Sequence, residues 1–446
     1  MFFSQFLGLF VDLYELLMAQ IYVEREYIGN ATFSLFIRKR PKKRPFFIAC
    51  GLEPFLNALE KFRFSEEDLE YLESLKIFKP KFLDYLKNFR FKGEIRALPE
   101  GTIFFENEPI CEVTAELPIA QLLETLILNT FHIEILSVSK AILSILHAGD
   151  ISCIDFSARR THGIDASLHV ARASYIAGFK ATSNVLAGKL FGIPVTGTMA
   201  HSFVEIFSDE ETAFKTYAET YPDNTILLID TYNTLEGARK VVKLKDYFKE
   251  KGIKLKGVRI DSGDLEKLSI EVRKILNKGS LKNTGIFLSS GIDERVILKL
   301  KEKEISVDGF GIGTKLGVSV DQPYLDIAYK LVEYEGKPKA KLSPGKKFYP
   351  GAKDLYRIYK NAQPEYDWLC LKGEEPPVEK ENAKSLLILA YKDTQKLYTE
   401  DLNKIRNRLK HQLNEILPKL NYSPKTYKKF KIKISSKLKQ LLKQIV

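Results

Sequence analysis

The sequence predicts an α/β protein built on a parallel sheet. Six short apolar runs recur from Ile151 onward, starting at residues 151, 192, 225, 255, 285 and 307. Each ends in polar or glycine residues, and clear helical patterns separate the later ones (LEGARKVVKLKDYFKEKG, LEKLSIEVRKILNKG, DERVILKLKEKE). The last intervals, 30, 30 and 22 residues, suit strand–helix repeats. The runs show no apolar/polar alternation, which is the pattern of strands covered on both faces. A barrel and an open doubly wound sheet both fit. In either, chemistry gathers where strands end and helices begin.

The elements follow in order. Residues 1–18 are apolar but carry Asp12 and Glu15 and lack a basic leader, so an amphipathic helix is expected there rather than a signal peptide. Residues 53–87 hold three segments with apolar residues three and four apart, which predicts helices. Residues 94–113 read as short strands broken by Pro and Gly, and 116–147 as helix again. Beyond about 330 the chain is rich in Lys, Tyr and Pro, with a helical pattern over 394–417. Three regions are therefore expected: 1–115, 116–330, and 331–446 with a lysine-rich tail.

Composition narrows the function. With 446 residues, 45% hydrophobic and 28% charged, the chain is large enough for two domains and is neither disordered nor fibrous. No run of 18 apolar residues predicts a membrane span. The four cysteines lie far apart with no CxxC pair and no zinc spacing, so a cytoplasmic protein is expected. The net charge is +12, and two segments hold much of it. Arg38–Arg44 (RKRPKKR) has six basic residues in seven, and Asn421–Val446 has eight lysines and no acid. These read as a solvated surface and a cationic terminal helix in preference to a nucleic-acid interface.

The strand ends carry the chemistry. There is no GxxxxGK[ST] and no HExxH, and GFGIGTKLG misses the dinucleotide-binding spacing because Leu316 stands where the third Gly belongs. The first run ends Asp155-Phe156-Ser157-Ala158-Arg159-Arg160. Paired arginines past a strand suit a carboxylate or phosphate. The second gives Thr196-Gly197-Thr198-Met199-Ala200-His201, placing a titratable ring in a small-residue turn. The third ends in Asp230 and the fourth in Arg259-Ile260-Asp261-Ser262-Gly263-Asp264. The fifth gives Ser289-Ser290-Gly291-Ile292-Asp293 and the sixth Gly311-Ile312-Gly313-Thr314-Lys315. Glycines and hydroxyls in such turns offer backbone N–H groups to phosphate. Asp230, Asp261 and Asp264 suit Mg²⁺ or ribose hydroxyls. Asp264 and Asp293 suit helix N-caps equally well. Together the set points to a phosphorylated, metal-bound sugar.

The stretch DFSARRTHGIDASLHVARASYIAGFKATSNVLAGKLFGIPVTGTMAHSF, followed by RIDSGDL, SSGIDE and GFGIGT, resembles the nicotinate phosphoribosyltransferases of the type II phosphoribosyltransferase family. The resemblance spans roughly residues 8–360. It implies an irregular (β/α) barrel with an additional α/β sandwich domain, the latter formed by residues 1–115 with part of the C-terminal region. It implies that nicotinate and 5-phosphoribosyl 1-pyrophosphate give nicotinate mononucleotide and pyrophosphate, with Mg²⁺, in NAD biosynthesis. ATP hydrolysis would be coupled through a phosphohistidine at His201. By the same resemblance Phe156 stacks on the pyridine, and Tyr14 reaches it from the second subunit of a homodimer with shared sites. Arg159 and Arg160 match the arginines after the first strand, and Arg259 and Asp261 the pair near ribose and pyrophosphate. Gly291, Gly311, Gly313 and Thr314 match the 5′-phosphate turns, with Thr198, Asp230, Ser262 and Gly263 completing the expected substrate contacts. Ser183 stands where nicotinamide enzymes carry an aspartate. A carboxylate there would repel nicotinate, whereas a hydroxyl donates to it. Nicotinamide and quinolinate remain the alternative substrates. The chain departs from the pattern at His162-Gly163, where His-Pro is expected.

Overall fold

The computed structural model describes residues 4–341 and 348–445. The chain divides into two compact units, Met1–Ser139 with Tyr324–Val446, and Lys140–Pro323. The sequence suggests divisions near 115 and 330, whereas the packing divides the chain after 139 and after 323.

The second unit holds the repeats. Its strands are β1 (Ser152–Asp155), β2 (Ala181–Thr182), β3 (Thr225–Leu228), β4 (Leu255–Ile260), β5 (Gly285–Leu288) and β6 (Gly309–Ile312). They pair in the order β2-β1-β6-β5-β4-β3, all parallel. The sheet curls into half of a barrel, which is the irregular barrel architecture expected above. Its centre is apolar: Val258, Ile260, Ile286, Leu288, Phe310 and Ile312 are buried. Helices Thr234–Lys243, Leu265–Lys278 and Glu294–Glu302 lie between successive strands. Each buries one stripe, for example Val272 and Leu276 in Leu265–Lys278. Helix Thr234–Lys243 packs so closely that a Cβ on Gly237 would stand 2.2 Å from the Ile229 carbonyl oxygen, so only glycine fits there.

One strand expectation needs correcting. The run GIPVTGT forms no ladder; it joins β2 through one bridge, Thr182 to Val195. Pro194 has no N–H to donate, so it contributes only its carbonyl, which accepts from the Thr182 N–H at 3.0 Å. The strand that does form there is the two-residue β2, too short to show as an apolar run.

The first unit centres on an antiparallel seven-stranded sheet. Its order is Lys337–Pro338, Ile327–Tyr334, Asn30–Ile37, Cys111–Glu116, Gly93–Ala97, Ile388–Asp393, Gln395–Lys396. A second sheet joins Ala383–Ser385, Lys353–Lys360, Gln363–Leu371 and Ile432–Ile434. The three early helices form at Leu52–Leu59, Glu66–Ser74 and Pro80–Lys87. The later helix begins at Leu402 rather than 394, because Asp401 caps it by accepting from the Asn403 N–H at 2.8 Å. At the start, residues 1–3 lie outside the described residues, Ser4–Leu9 is a 3₁₀ turn and the helix is Leu13–Glu24. The stretch 117–148 is long and apolar enough to cross a membrane, but 78% of its most apolar window is buried in protein, the mark of a core helix. All four cysteines are buried, and none of them is joined to another in a disulfide.

Candidate active site

The chemistry-bearing turns collect at the C-terminal ends of the parallel strands. After β1, Asp155 is buried and its carboxylate accepts from the Ser157 N–H at 2.8 Å and the Thr182 hydroxyl at 2.7 Å. Burial pushes the Asp155 carboxyl up, and these hydrogen bonds pull it partly back. The Asp155 carbonyl accepts from the Ser183 N–H at 2.8 Å, and Thr182 accepts from the Asn184 N–H at 3.0 Å. One buried carboxylate therefore holds the turns carrying Phe156 and Ser183 together.

Phe156 is half-buried, with its ring against Gly311 of β6. A Cβ on Gly311 would come within 2.5 Å of its ring, so glycine makes room for the aromatic. The Phe156 N–H donates to the Ile312 carbonyl at 2.9 Å, fixing the backbone beneath the ring. Arg159 and Arg160 form the exposed 3₁₀ turn that follows. Gly163 sits at φ +104, a conformation closed to proline, whose ring fixes φ near −65°. The His162-Gly163 departure therefore changes the backbone path at this turn.

A second cluster joins the loops after β3, β4 and β5 to the 196–201 turn. His201 opens the short helix His201–Glu205. Its Nδ1 lies 3.1 Å from the Thr231 hydroxyl, and its Nε2 faces the Asp261 carboxylate at 3.9 Å. Asp230 accepts from the Asp261 N–H at 2.9 Å and the Ser262 hydroxyl at 2.6 Å. The Ser289 hydroxyl donates to Asp261, and the Arg259 guanidinium donates to the Thr198 hydroxyl. Arg259 stands 3.9 Å from the Asp261 carboxylate. Burial lowers the Arg259 pKa, the charges of Asp261 and Asp230 oppose that, and the nearby Arg159 adds to it. That coupling links the arginine turn of β1 to the acid cluster.

Two buried atoms in this cluster, Oδ1 of Asp230 and Nε of Arg259, have no hydrogen-bond partner among the described residues. Such orphans are costly in a finished interior and suit a surface that completes itself on a ligand. Among the described residues no group of three His, Cys, Asp or Glu is placed to hold a metal. Asp230 and Asp261 fit Mg²⁺ as the one or two carboxylates that assist an ion bound mainly by substrate phosphates.

The remaining turns differ in role. Gly263 and Gly291 adopt φ +80 and +64, and Ser290 beside the latter is also left-handed at φ +68. Gly313 follows β6 directly and packs under the Phe156 carbonyl, and Thr314 opens the helical turn Thr314–Gly317. Asp264 and Asp293 are helix N-caps: Asp264 accepts from the Lys267 N–H, and Asp293 from those of Arg295 and Val296. Asp293 also pairs with Lys315 at 3.0 Å. Tyr14 is in the other unit, on the exposed side of helix Leu13–Glu24. Its phenol is held well above the ordinary value by burial and then by Glu124. Asp155, Thr182, Thr231 and Ser289 stand in the strand-end stretches of the sequence without being assigned a role there. Thr231 and Ser289 bond to His201 and Asp261, Asp155 accepts from the Ser183 N–H, and Thr182 bonds to Asp155; for the three hydroxyl residues, a hydroxyl in a strand-end turn is the signal.

Comparison with known proteins identifies the family. The nicotinate phosphoribosyltransferase N-terminal domain matches residues 9–132, and the nicotinate phosphoribosyltransferase family matches 151–368. A nicotinate phosphoribosyltransferase of Mycobacterium tuberculosis is 46% identical over 350 residues, covering 78% of this chain and 75% of that protein. One of Bacillus subtilis is 40% identical over 379 residues, covering 83% and 77%. The crystal structure of human nicotinic acid phosphoribosyltransferase superposes with a TM-score of 0.87 at 27% identity, covering 98% of this chain and 99% of that one. With two family domains matched and a 46%-identical relative aligned over most of its length, the chain belongs to the nicotinate phosphoribosyltransferase family.

Proposed function

We propose that this chain transfers the phosphoribosyl group of 5-phosphoribosyl 1-pyrophosphate to the ring nitrogen of nicotinate, releasing pyrophosphate, as a step of NAD biosynthesis. The observation that carries the reading is the hydrogen-bonded cluster of Asp230, Asp261, Ser262, Arg259 and Thr198 beside His201, with Phe156 on the same rim of strand ends. The pyridine nitrogen attacks C1 of the ribose as pyrophosphate leaves. The transition state has oxocarbenium character, as in other glycosyl transfers. The base needs no deprotonation, so the protein's work is alignment and charge stabilisation. Phe156 offers a flat face to the ring, and Ser183 a hydroxyl to its carboxylate. Arg259, Arg159 and Arg160 stabilise the departing diphosphate. The turns at Gly291, Gly311, Gly313 and Thr314 offer N–H groups to the 5′-phosphate. Asp230 and Asp261 take the ribose hydroxyls, or assist Mg²⁺, which when bound neutralises the diphosphate.

His201 is the proposed phosphoryl acceptor from ATP. Its ring stands between Thr231 and Asp261, so a phosphoryl group there adds about two negative charges beside Arg259 and reorders the diphosphate pocket. The working unit is proposed as a homodimer in which Tyr14 reaches the partner's site. Leu13, Leu17 and Ile21 support this, since they expose an apolar row at helical spacing beside Tyr14. The absence of any disulfide among the four buried cysteines supports a reducing, cytoplasmic compartment. The test is turnover of nicotinate, nicotinamide and quinolinate with phosphoribosyl pyrophosphate and Mg²⁺, with and without ATP. Nicotinate should be preferred and ATP should stimulate; a preference for either other base would overturn the assignment.

A further inference from the structure

The two basic segments singled out in the sequence lie almost 390 residues apart, and the fold brings them together. Tyr427 is the joint. Its hydroxyl accepts from the Arg40 guanidinium at 2.7 Å and donates to the Lys42 carbonyl, with the Arg44 carbonyl at 3.2 Å. The Arg40 guanidinium lies over its ring, 5.2 Å from the centroid. The tail is built in rather than trailing. Phe430 stacks on Phe105 with ring centres 4.8 Å apart, and Ile432–Ile434 adds a parallel strand to Gln363–Leu371. Lys39, Lys42 and Lys43 of the first segment, and Lys428, Lys429 and Lys431 of the second, are exposed around this joint. Glu106 sits among them, pairing with Arg40 at 2.9 Å and lying 3.9 Å from Lys429. The arginines are otherwise committed: Arg38 pairs with Asp326, and Arg44 is buried and donates to the Leu136 carbonyl.

Holding two like-charged segments against each other costs repulsion, and a merely solubilising tail has no reason to be anchored there. A polyanion laid across both segments offsets that cost. We infer that this face, the Arg38–Arg44 loop with residues 425–433, docks nucleic acid through its phosphates and without regard to sequence. Phosphate recognition needs only accessible cations. A membrane or protein partner would ask for apolar anchors, and among the described residues of these two segments no large apolar side chain is exposed. The spread of lysines on both sides of Tyr427 suits about four backbone phosphates. Single-strand binding with four contacts weakens roughly 10- to 100-fold between about 50 and 200 mM salt.

The test is fluorescence anisotropy of a mixed-sequence RNA oligonucleotide titrated with the full chain at several salt concentrations. The parent should bind with that salt dependence. The paired variants Lys42→Glu/Lys43→Glu and Lys428→Glu/Lys431→Glu should each lose roughly tenfold or more while keeping the parent's melting temperature and nicotinate turnover. Where a charge reversal unfolds the chain, the same lysines changed to Ala replace it. No binding at low salt, or binding untouched by both pairs, would overturn the inference. So would tighter binding of polyglutamate, or of phosphatidylserine vesicles that the oligonucleotide fails to displace.

Discussion

Asp155 and Thr182 are joined by a 2.7 Å hydrogen bond that ties the ends of two neighbouring parallel strands. Because the Asp155 backbone also receives the Ser183 N–H, this one residue sets the spacing between the proposed stacking ring and the proposed specificity hydroxyl. Asp155→Asn keeps the shape but puts an NH₂ where one carboxylate oxygen accepts. A hydrogen bond to a charged group is worth about 1.5–3 kcal/mol. The KM for nicotinate should therefore rise about tenfold or more, with a smaller change in the KM for phosphoribosyl pyrophosphate. Steady-state kinetics with each substrate varied separately checks this, and equal effects on both KM values would remove the positioning role.

Ser183 decides the choice of base in this account. Ser183→Asp places a carboxylate where nicotinate brings its own, so kcat/KM for nicotinate should fall at least tenfold relative to nicotinamide. An unchanged ratio of the two kcat/KM values would remove the specificity argument.

His201→Ala should abolish ATP stimulation and acid-labile phosphate incorporation, while the Asp230–Asp261 hydrogen bond stays in place. Incorporation from labelled ATP into parent and variant is the measurement. Full incorporation in the variant would move the phosphoryl acceptor elsewhere.

Glu15 gives a pH dependence of stability. It is buried on helix Leu13–Glu24, and burial pushes its carboxyl from the ordinary 4.5 up to about 7 despite hydrogen bonds from Thr125 and the Asp12 N–H. The native state thus holds a proton that the unfolded chain releases, and this contribution to stability falls as pH rises from about 4.5 to about 7. Glu15→Gln carries no such proton, so its melting temperature should gain on the parent's across that window and hold steady above it. A difference independent of pH would show that Glu15 titrates normally.

Much of this site is written locally. Acids and arginines at the ends of apolar runs survive into the structure because a parallel strand must stop where its helix begins, and Asp230, Arg259 and Asp261 sit at that junction. The same locality misleads where tertiary pairing decides. The apolar texture of GIPVTGT suggests a strand, yet Pro194 leaves it with a single bridge, while Ala181–Thr182 becomes a strand by pairing with β1. Helix Leu402–Lys419 starts late because a cap, not the apolar period, sets its end. The lysine tail reads as a solvated surface with a cationic terminal helix, and that helix forms at Ser436–Ile445; the stack of Phe430 on Phe105 and the added strand before it are not visible in the local pattern.

The central claim is that loops from successive strand ends form one pocket for a diphosphorylated sugar and a flat aromatic acid. A crystal structure with phosphoribosyl pyrophosphate, Mg²⁺ and a nicotinate analogue tests it most directly. The account predicts the diphosphate beside Arg259 and His201, the ribose at Asp230 and Asp261, and the ring on Phe156 within reach of Ser183. Density for these ligands at any other place on the chain, with the strand-end cluster left untouched, would contradict it.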